Sequence, residues 1–250
     1  MWTDPAVIAA LSFPTLAFLW LGAFLGGLAS GGAGFAFGIV GSAIWLHALS
    51  PLHVTMLVVT GGLIVQVGTI WPLRRSLDWR RLWPFLIPGL IGIPIGVWLL
   101  VRTDAQALRL WLGIFLAVYG LYALIAPRLP RVQGGGRVAD ALIGFAGGIL
   151  GGLGGYSGVL PAIWTQLRGW PKDVARGVYQ AFIVMAHVAT IVLIGVVALD
   201  RVGLVLCMAA VPALLLGAWV GWTIYGRLDE GHFKRAFAAL LLVSGLLLVF

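Results

Sequence analysis

Two glycine-rich stretches, residues 26–34 and 147–155, contain the residues whose chemistry is most informative. Glycine adopts the backbone conformations that interrupt a helix, and the helix that follows an interruption begins with unpaired backbone N–H groups. Those N–H groups, together with the helix dipole, favour an anion. The pattern therefore predicts an anion site formed by two helix breaks. The alternative is that these glycines only allow neighbouring helices to pack closely.

Neutral hydrogen-bonding groups accompany both stretches and complete the expected site. Such groups can hold a desolvated oxyanion without the cost of a buried, unpaired cation. Acidic residues lie only near the ends of the apolar segments, so a buried carboxylate site for Na⁺ or a metal ion is not expected. We expect no metal and no cofactor. The predicted substrate-binding residues are Ser30, Gly31, Gly32, Gly34, Thr60, Gly152, Gly154, Gly155, Tyr156, Ser157, Gln180 and His187.

Gln180 and His187 are seven positions apart, so they share a face of one predicted helix. His187 lies deep within an apolar segment and has two open interpretations. It contacts substrate or carries a proton, or it is a neutral imidazole bonded to a backbone carbonyl of a neighbouring helix. Thr60 aligns with Gln180 at a displacement of 120 positions and is expected to play the matching role. Arg176 is interpreted as a lipid head-group anchor, with attraction of anions as the alternative.

The composition indicates which kind of structure holds these residues in place. Of the 250 residues, 61% are hydrophobic and 10% are charged, whereas soluble domains carry about 25% charged residues. A bilayer crossing takes about 20 apolar residues, so the chain is expected to consist almost entirely of membrane spans. One cysteine excludes an internal disulfide and a zinc cluster. The net charge of +8 is attributed to anionic lipid and membrane orientation, not to nucleic acid.

The chain also aligns with itself when displaced by 120 to 125 positions, which indicates an internal duplication. We predict an all-α polytopic membrane protein with two homologous repeats, residues 1–126 and 138–250, joined by a basic cytoplasmic linker at 127–137. Each repeat has five segments and opens with a pair of short helices broken at glycine. The ten apolar segments are at about 6–29, 33–49, 54–72, 82–101, 105–126, 138–153, 154–167, 174–199, 202–225 and 233–250.

The arginines predict the orientation of the repeats. Residues 74–81 and the linker are the most basic connections and are expected to be cytoplasmic. If each glycine-broken pair counts as one span, the repeats are parallel and the basic loop at 168–176 is outside. If the pair is two short spans or a re-entrant hairpin, that loop is inside and the repeats are inverted. Charge favours the inverted arrangement.

These residues resemble a known family. Ser30-Gly31-Gly32-Ala33-Gly34 and Gly151-Gly152-Leu153-Gly154-Gly155, the latter followed by Pro161, occur in an apolar chain of 250 residues with a basic linker, and this combination is similar to the sulfite exporter TauE/SafE family. The resemblance covers essentially the whole chain. It implies a permease of the cell inner membrane for sulfite, sulfoacetate or organosulfonates, with some relatives assigned to other small anions. Gly41 occupies the position that matches Pro161, so the first repeat departs from the pattern.

The expected function is therefore transport of a small sulfur-containing anion by alternating access between the two breaks. An anion channel, or a transporter of other small organic anions, is the alternative. An intramembrane enzyme is not expected, because the apolar segments contain too few nucleophiles, bases or metal ligands. The expected partners are the anionic substrate and the lipid bilayer, without nucleic acid, and a homodimer is left open.

Overall fold

The computed structural model describes residues 12–73, 77–102, 104–125, 131–198, 200–225 and 230–249. This part of the chain is all-helical and forms ten helices, as predicted. They are α1 (Phe13–Ala33), α2 (Phe37–Trp45), α3 (Pro51–Leu73), α4 (Trp79–Leu100), α5 (Ala105–Ile125), α6 (Gly136–Gly154), α7 (Val159–Leu167), α8 (Lys172–Ala198), α9 (Arg201–Tyr225) and α10 (Glu230–Val249).

Six of these helices, α1, α3, α4, α6, α8 and α9, are long and apolar enough to cross a membrane. In contrast, α2 and α7 have nine residues each, which is about 14 Å of helix and less than half of the roughly 30 Å hydrocarbon core. Each short helix follows one of the glycine-rich stretches. The prediction of a polytopic helical membrane protein is confirmed. The predicted opening pairs of short helices are wrong for the first member of each pair, because α1 and α6 have 21 and 19 residues and are long enough to span.

The two glycine-rich stretches contain real helix breaks. At the end of α1, Gly34 adopts a left-handed conformation (φ 83°), and at the end of α6, Gly155 does the same (φ 77°). A left-handed glycine is a common way to end a helix because it lacks the Cβ that penalises this conformation. Both glycines donate their backbone N–H to the carbonyl four residues earlier, at 2.7 Å. The first segment thus continues to Ala33, beyond the predicted end near residue 29.

After each break the short helix turns back along the helix before it. In the first hairpin, the indole N–H of Trp45 on α2 donates to the carbonyl of Leu19 on α1 at 3.2 Å. In the second, the indole N–H of Trp164 on α7 donates to the carboxylate of Asp140 on α6 at 2.7 Å. Each contact joins the end of the short helix to the early turns of the preceding one. The breaks therefore lie at the closed ends of two helical hairpins.

Close helix packing uses other glycines. Helix α1 packs on α9, and α6 packs on α4. A Cβ on Gly148 of α6 would lie 2.0 Å from the carbonyl oxygen of Gly89 on α4, and a Cβ on Gly221 of α9 would lie 2.0 Å from that of Leu28 on α1. No side chain fits there, because these backbones are in contact. The paired helices α3 and α8 fill the space between the two hairpins.

Candidate functional site

A buried polar face on α8 lies between the two helix breaks. Arg176, Tyr179, Gln180, His187 and Thr190 follow a helical spacing and are all buried, with Arg176 only 2% exposed. Residues at intervals of three, four and seven positions lie on one side of a helix. Helix α8 packs against α3, α4, α6 and α7, so this polar face is enclosed by protein. Polar groups in this position within a membrane protein are functional candidates.

The first break is surrounded by side-chain donors. The carbonyl of Gly34 accepts hydrogen bonds from the amides of Gln66 on α3 and Gln180 on α8. The guanidinium of Arg176 donates to the carbonyls of Gly31 and Gly32, each at 3.3 Å. These carbonyls belong to the last turn of α1, where the helix dipole is negative, so a cation stabilises the break.

The open side of Gly34 is lined by three donors. A Cβ built on this glycine would lie 2.9 Å from Nε2 of Gln180, 3.1 Å from Nε of Arg176 and 3.1 Å from the hydroxyl of Tyr179. An amide, a guanidinium and a phenol are the groups that bind oxyanions by hydrogen bonding, and the charged one makes the stronger bond. Glycine at this position leaves these donors close to the backbone, where any side chain would displace them.

The second break has a related but different arrangement. Nε2 of His187 lies 3.2 Å from the carbonyl oxygen of Gly155, and because a carbonyl only accepts, this nitrogen carries the hydrogen. The bond is the one expected of an imidazole held by a neighbouring backbone carbonyl. Tyr156, which follows Gly155, extends to the first hairpin and donates its hydroxyl to Ser42 on α2 at 2.8 Å.

The two breaks adjoin each other inside the protein. A Cβ on Gly38, in the first turn of α2, would lie 3.4 Å from both the carbonyl of Gly155 and the ring of Tyr156. Phe35, which follows Gly34, packs edge-on against Tyr179 with ring centroids 5.7 Å apart. Both breaks and the polar face of α8 therefore form one buried region.

Several polar atoms in this region have no hydrogen-bond partner among the described residues. They are the hydroxyls of Ser30, Ser157 and Thr190 and Nδ1 of His187. Buried polar groups in folded proteins are nearly always bonded to protein, water or ligand. A small polyatomic anion with bound water would satisfy hydroxyl donors of this kind.

The remaining predicted site residues divide between the breaks and the helix interfaces. Gly31 and Gly152 face helix backbones, since a Cβ on each would lie 2.4 Å from Ala218 O and 2.2 Å from Ile93 O. The packing interpretation therefore describes these two glycines, while Gly34 and Gly155 form the breaks. Gly154 accommodates the ring of Tyr156. Gly32 contributes its carbonyl to Arg176.

The structure does not place Thr60 at the breaks. It lies beside the thiol of Cys207 on α9. The alignment that pairs Thr60 with Gln180 uses a displacement of 120 positions. The left-handed glycines Gly34 and Gly155 are 121 positions apart, so this displacement is one position too small near the breaks. At 121, the partner of His187 is Gln66, which bonds Gly34.

Arg176 is buried, contrary to the prediction of a lipid head-group anchor. The structure places it against the last turn of α1 and 5.3 Å from the ring centroid of Trp222 on α9, so it is not a head-group anchor. Its four-residue spacing from Gln180 was the available signal, since that spacing puts both on one helix face. Gln66, Tyr179 and Ser42 are not among the predicted substrate-binding residues. No local pattern connects Ser42 with Tyr156, because they are 114 positions apart.

The described residues contain no group of three or more histidine, cysteine or acidic side chains that could hold a metal ion. Asp140 is buried, but it lies in the early turns of α6 and accepts a hydrogen bond from Trp164 at 2.7 Å. It is therefore part of the hairpin and distant in sequence from the break at Gly155. The donors around the breaks carry positive or neutral character, which suits an anion.

Comparisons with known proteins give the family of the chain. The family model described as "Sulfite exporter TauE/SafE" matches residues 19–248. A curated relative from Comamonas testosteroni, described as "Probable inner membrane transporter protein TsaS", is 28% identical over 182 residues, which cover 69% of this chain and 72% of the relative. No solved structure matches significantly.

Proposed function

This chain belongs to the sulfite exporter TauE/SafE family, and we propose that it moves small sulfur-containing anions, such as sulfite, sulfoacetate or organosulfonates, across the cell inner membrane by alternating access. The inner-membrane location follows from the six long apolar helices and from the description of the curated relative. The chain acts as a transporter and not as an enzyme.

The observation that carries this proposal is the cluster of donors beside Gly34. Arg176, Tyr179 and Gln180 approach the same side of a helix break, and the unbonded hydroxyls of Ser30 and Ser157 lie in the same buried region. Sulfite and sulfonates carry three oxygens around one sulfur and accept hydrogen bonds from several directions. A guanidinium and hydroxyl donors match such a group.

Two equivalent contacts support an inverted arrangement of the repeats. Near the start of α3, His53 bonds Asp200, which precedes α9, at 2.8 Å. Trp170, which precedes α8, lies 4.7 Å below the guanidinium of Arg81 in the first turn of α4. Helix α3 leads from the first contact to the loop before α4, so the two contacts lie at opposite membrane faces. Corresponding contacts of the two repeats would therefore lie at opposite membrane faces, as an inverted repeat requires.

In the proposed mechanism the structure corresponds to an occluded state, because Ser30, Gln180 and His187 are at most 3% exposed. Rocking of one repeat against the other opens the breaks alternately to each side. A membrane potential that is negative inside drives export of an anion by about 2.3 kcal/mol per charge per 100 mV. This energy is sufficient for an exporter without a buried acid to relay protons.

The transport test uses purified protein in proteoliposomes. We expect uptake or efflux of sulfite or a sulfonate, with weaker transport of carboxylate analogues and of zwitterionic taurine. Gln180→Ala removes one donor and should lower transport about tenfold. Gln106→Ala is the matched control because Gln106 is exposed at the start of α5. Equal transport by both variants, at equal reconstitution, would reject the proposed site.

The orientation of the repeats is tested by cysteine labelling. Replacing Cys207 by serine removes the one native thiol, and single cysteines are then introduced at His47 and Arg168. These positions are 121 apart and each follows a short helix. Inverted repeats place them on opposite sides of the membrane, so a membrane-impermeant reagent should label one from outside and the other from inside. Labelling of both from the same side would establish parallel repeats.

A further inference from the structure

A groove on the membrane-facing surface, between the first turns of α4 and α6, has no part in the proposed transport path. Its volume is about 600 Å³, which is in the range of about 300–1,000 Å³ typical of small-molecule sites. The wall of the groove combines two arginines with apolar side chains: Arg80, Arg137, Trp83, Ile87, Pro88 and Ala141.

The polarity of the groove changes with depth. Arg80 and Arg137 are each the second residue of their helix, at the basic end of the molecule. Ile87 and Pro88 lie seven and eight residues further along α4, which is about 10–12 Å deeper. Trp83 is half exposed between the two levels, where an aromatic side chain suits the membrane interface. A phospholipid has the same order, with a charged head above apolar chains.

The two arginines are not occupied by acidic side chains of the described residues. Asp78 forms its ion pair with Arg81, at 3.1 Å. Its hydrogen bond to Arg80 is with the backbone N–H of that residue. Asp140, one turn from Arg137, accepts the indole N–H of Trp164. In addition, α6 begins after Gly135 with no side-chain cap, so its first N–H groups add positive potential beside Arg137.

We propose that this groove binds one anionic phospholipid from the leaflet on the side of the membrane where α4 and α6 begin. Its phosphate lies between Arg80 and Arg137, and an acyl chain lies against Ile87 and Pro88. Basic pockets between transmembrane helices recognise anionic head groups in this way. Because α4 and α6 belong to different repeats, the lipid contacts both. Its binding does not depend on the transported substrate.

The test is native mass spectrometry of the full-length protein in detergent, with added phosphatidylglycerol or phosphatidylcholine, together with Tm measurements. We expect one retained phosphatidylglycerol, a rise in Tm of about 4 °C, and no comparable effect of phosphatidylcholine. Glycerol phosphate, which has the head group without chains, should give neither. Equal effects of the two lipids, or full reproduction of the Tm rise by glycerol phosphate, would overturn the proposal.

Three variants assign the lipid to this groove. Arg80→Gln with Arg137→Gln should weaken phosphatidylglycerol binding about fivefold for each arginine. Ala141→Phe fills the groove while leaving both charges, and it should also remove the bound lipid. Arg102→Gln, at the opposite end of α4 and over the ring of Trp98, makes the same charge change and should retain the lipid. Retention by Ala141→Phe, or loss from Arg102→Gln, contradicts a site in this groove.

Discussion

Gln66 on α3 and His187 on α8 are 121 positions apart, and each bonds the carbonyl of a left-handed glycine that ends a helix, Gly34 after α1 and Gly155 after α6. Gln66 donates to Gly34, and His187 donates to Gly155 at 3.2 Å. Each bond satisfies a carbonyl that the helix break leaves without an intrahelical donor. Helix α3 thus holds the break after α1, and α8 holds the break after α6. An amide makes this bond at the first break and an imidazole makes it at the second.

This relationship predicts that glutamine can replace His187. We expect His187→Gln to transport at close to the unmodified rate, because Gln66 already makes the equivalent bond with an amide. His187→Ala leaves the carbonyl of Gly155 without this donor and should lower Tm and transport, since an unmet buried group costs about 1–3 kcal/mol.

The pH dependence of transport in proteoliposomes completes this prediction. We expect His187→Gln and the unmodified protein to have the same pH profile, because the membrane potential is sufficient to drive the anion. A profile that becomes flat in His187→Gln would show instead that the imidazole carries the proton. Tm values measured in parallel separate a loss of transport from a loss of folded protein.

Both the positive charge and the forked guanidinium of Arg176 should contribute to transport. Its two terminal nitrogens reach the carbonyls of Gly31 and Gly32, and only a guanidinium provides this fork. We expect Arg176→Gln to reduce transport about tenfold or more, with Arg176→Lys restoring part of it. The exposed Arg102 supplies the matched control Arg102→Gln. If Arg176→Gln transported normally in proteoliposomes, the cation would have no role in the site.

Alanine should lower Tm at glycines that pack against another helix, but not at glycines that meet no neighbouring atom. In Gly148→Ala the new methyl group meets the backbone of α4 2.0 Å away, so α4 and α6 must separate, at a cost of about 1–3 kcal/mol. Gly195→Ala on α8 is the control, because a Cβ there meets nothing within 4 Å. Thermal unfolding in detergent should show a lower Tm for the first variant and an equal or higher Tm for the second. The reverse order would contradict the packing described.

The contact between His53 and Asp200 predicts a pH-dependent stability. Burial raises the pKa of Asp200, but hydrogen bonds from His53 and from the N–H of Gly203 outweigh it, so its net pKa is below the ordinary value. A carboxylate with a lowered pKa stabilises the fold above the ordinary Asp value of about 3.9, and this contribution disappears as the pH falls through the lowered value.

Asp200→Asn isolates this contribution. An asparagine retains an oxygen for the N–H of Gly203 but loses the negative charge that faces His53. We expect a lower Tm than that of the unmodified protein at pH 5 and above, and a Tm difference that decreases as the pH falls below about 4 toward the lowered pKa of Asp200. A Tm difference that stays constant across this range would assign the effect to the cap and not to the charge.

Much of the architecture follows from local sequence. Long apolar segments with few charges can only satisfy their backbone groups in a membrane as helices, so ten helices were predictable. The breaks were also predictable, because glycine runs permit the left-handed conformation seen at Gly34 and Gly155. The expectation of an anion-compatible interior came from the confinement of acidic residues to the segment ends.

The assignment of individual residues required the tertiary structure. Glycines within one run have the same local chemistry, yet Gly34 ends α1 while Gly31 meets the backbone of α9. Only the partner helix distinguishes these roles. A displacement of 120 pairs His187 with Val67, whereas 121 pairs it with Gln66, and one residue corresponds to a rotation of about 100° around the helix.

The burial of Arg176 is the clearest case in which local sequence does not specify the position of a residue. By sequence it is an arginine near the start of a span, where it could reach the lipid head groups. In the structure its partners are Gly31 and Gly32, about 145 positions earlier, and Trp222 on α9. Sequence alone determined that this is a helical membrane protein with two glycine breaks. Contacts between distant segments decided which side chains surround those breaks, because burial of a charged group depends on partners that no local pattern specifies.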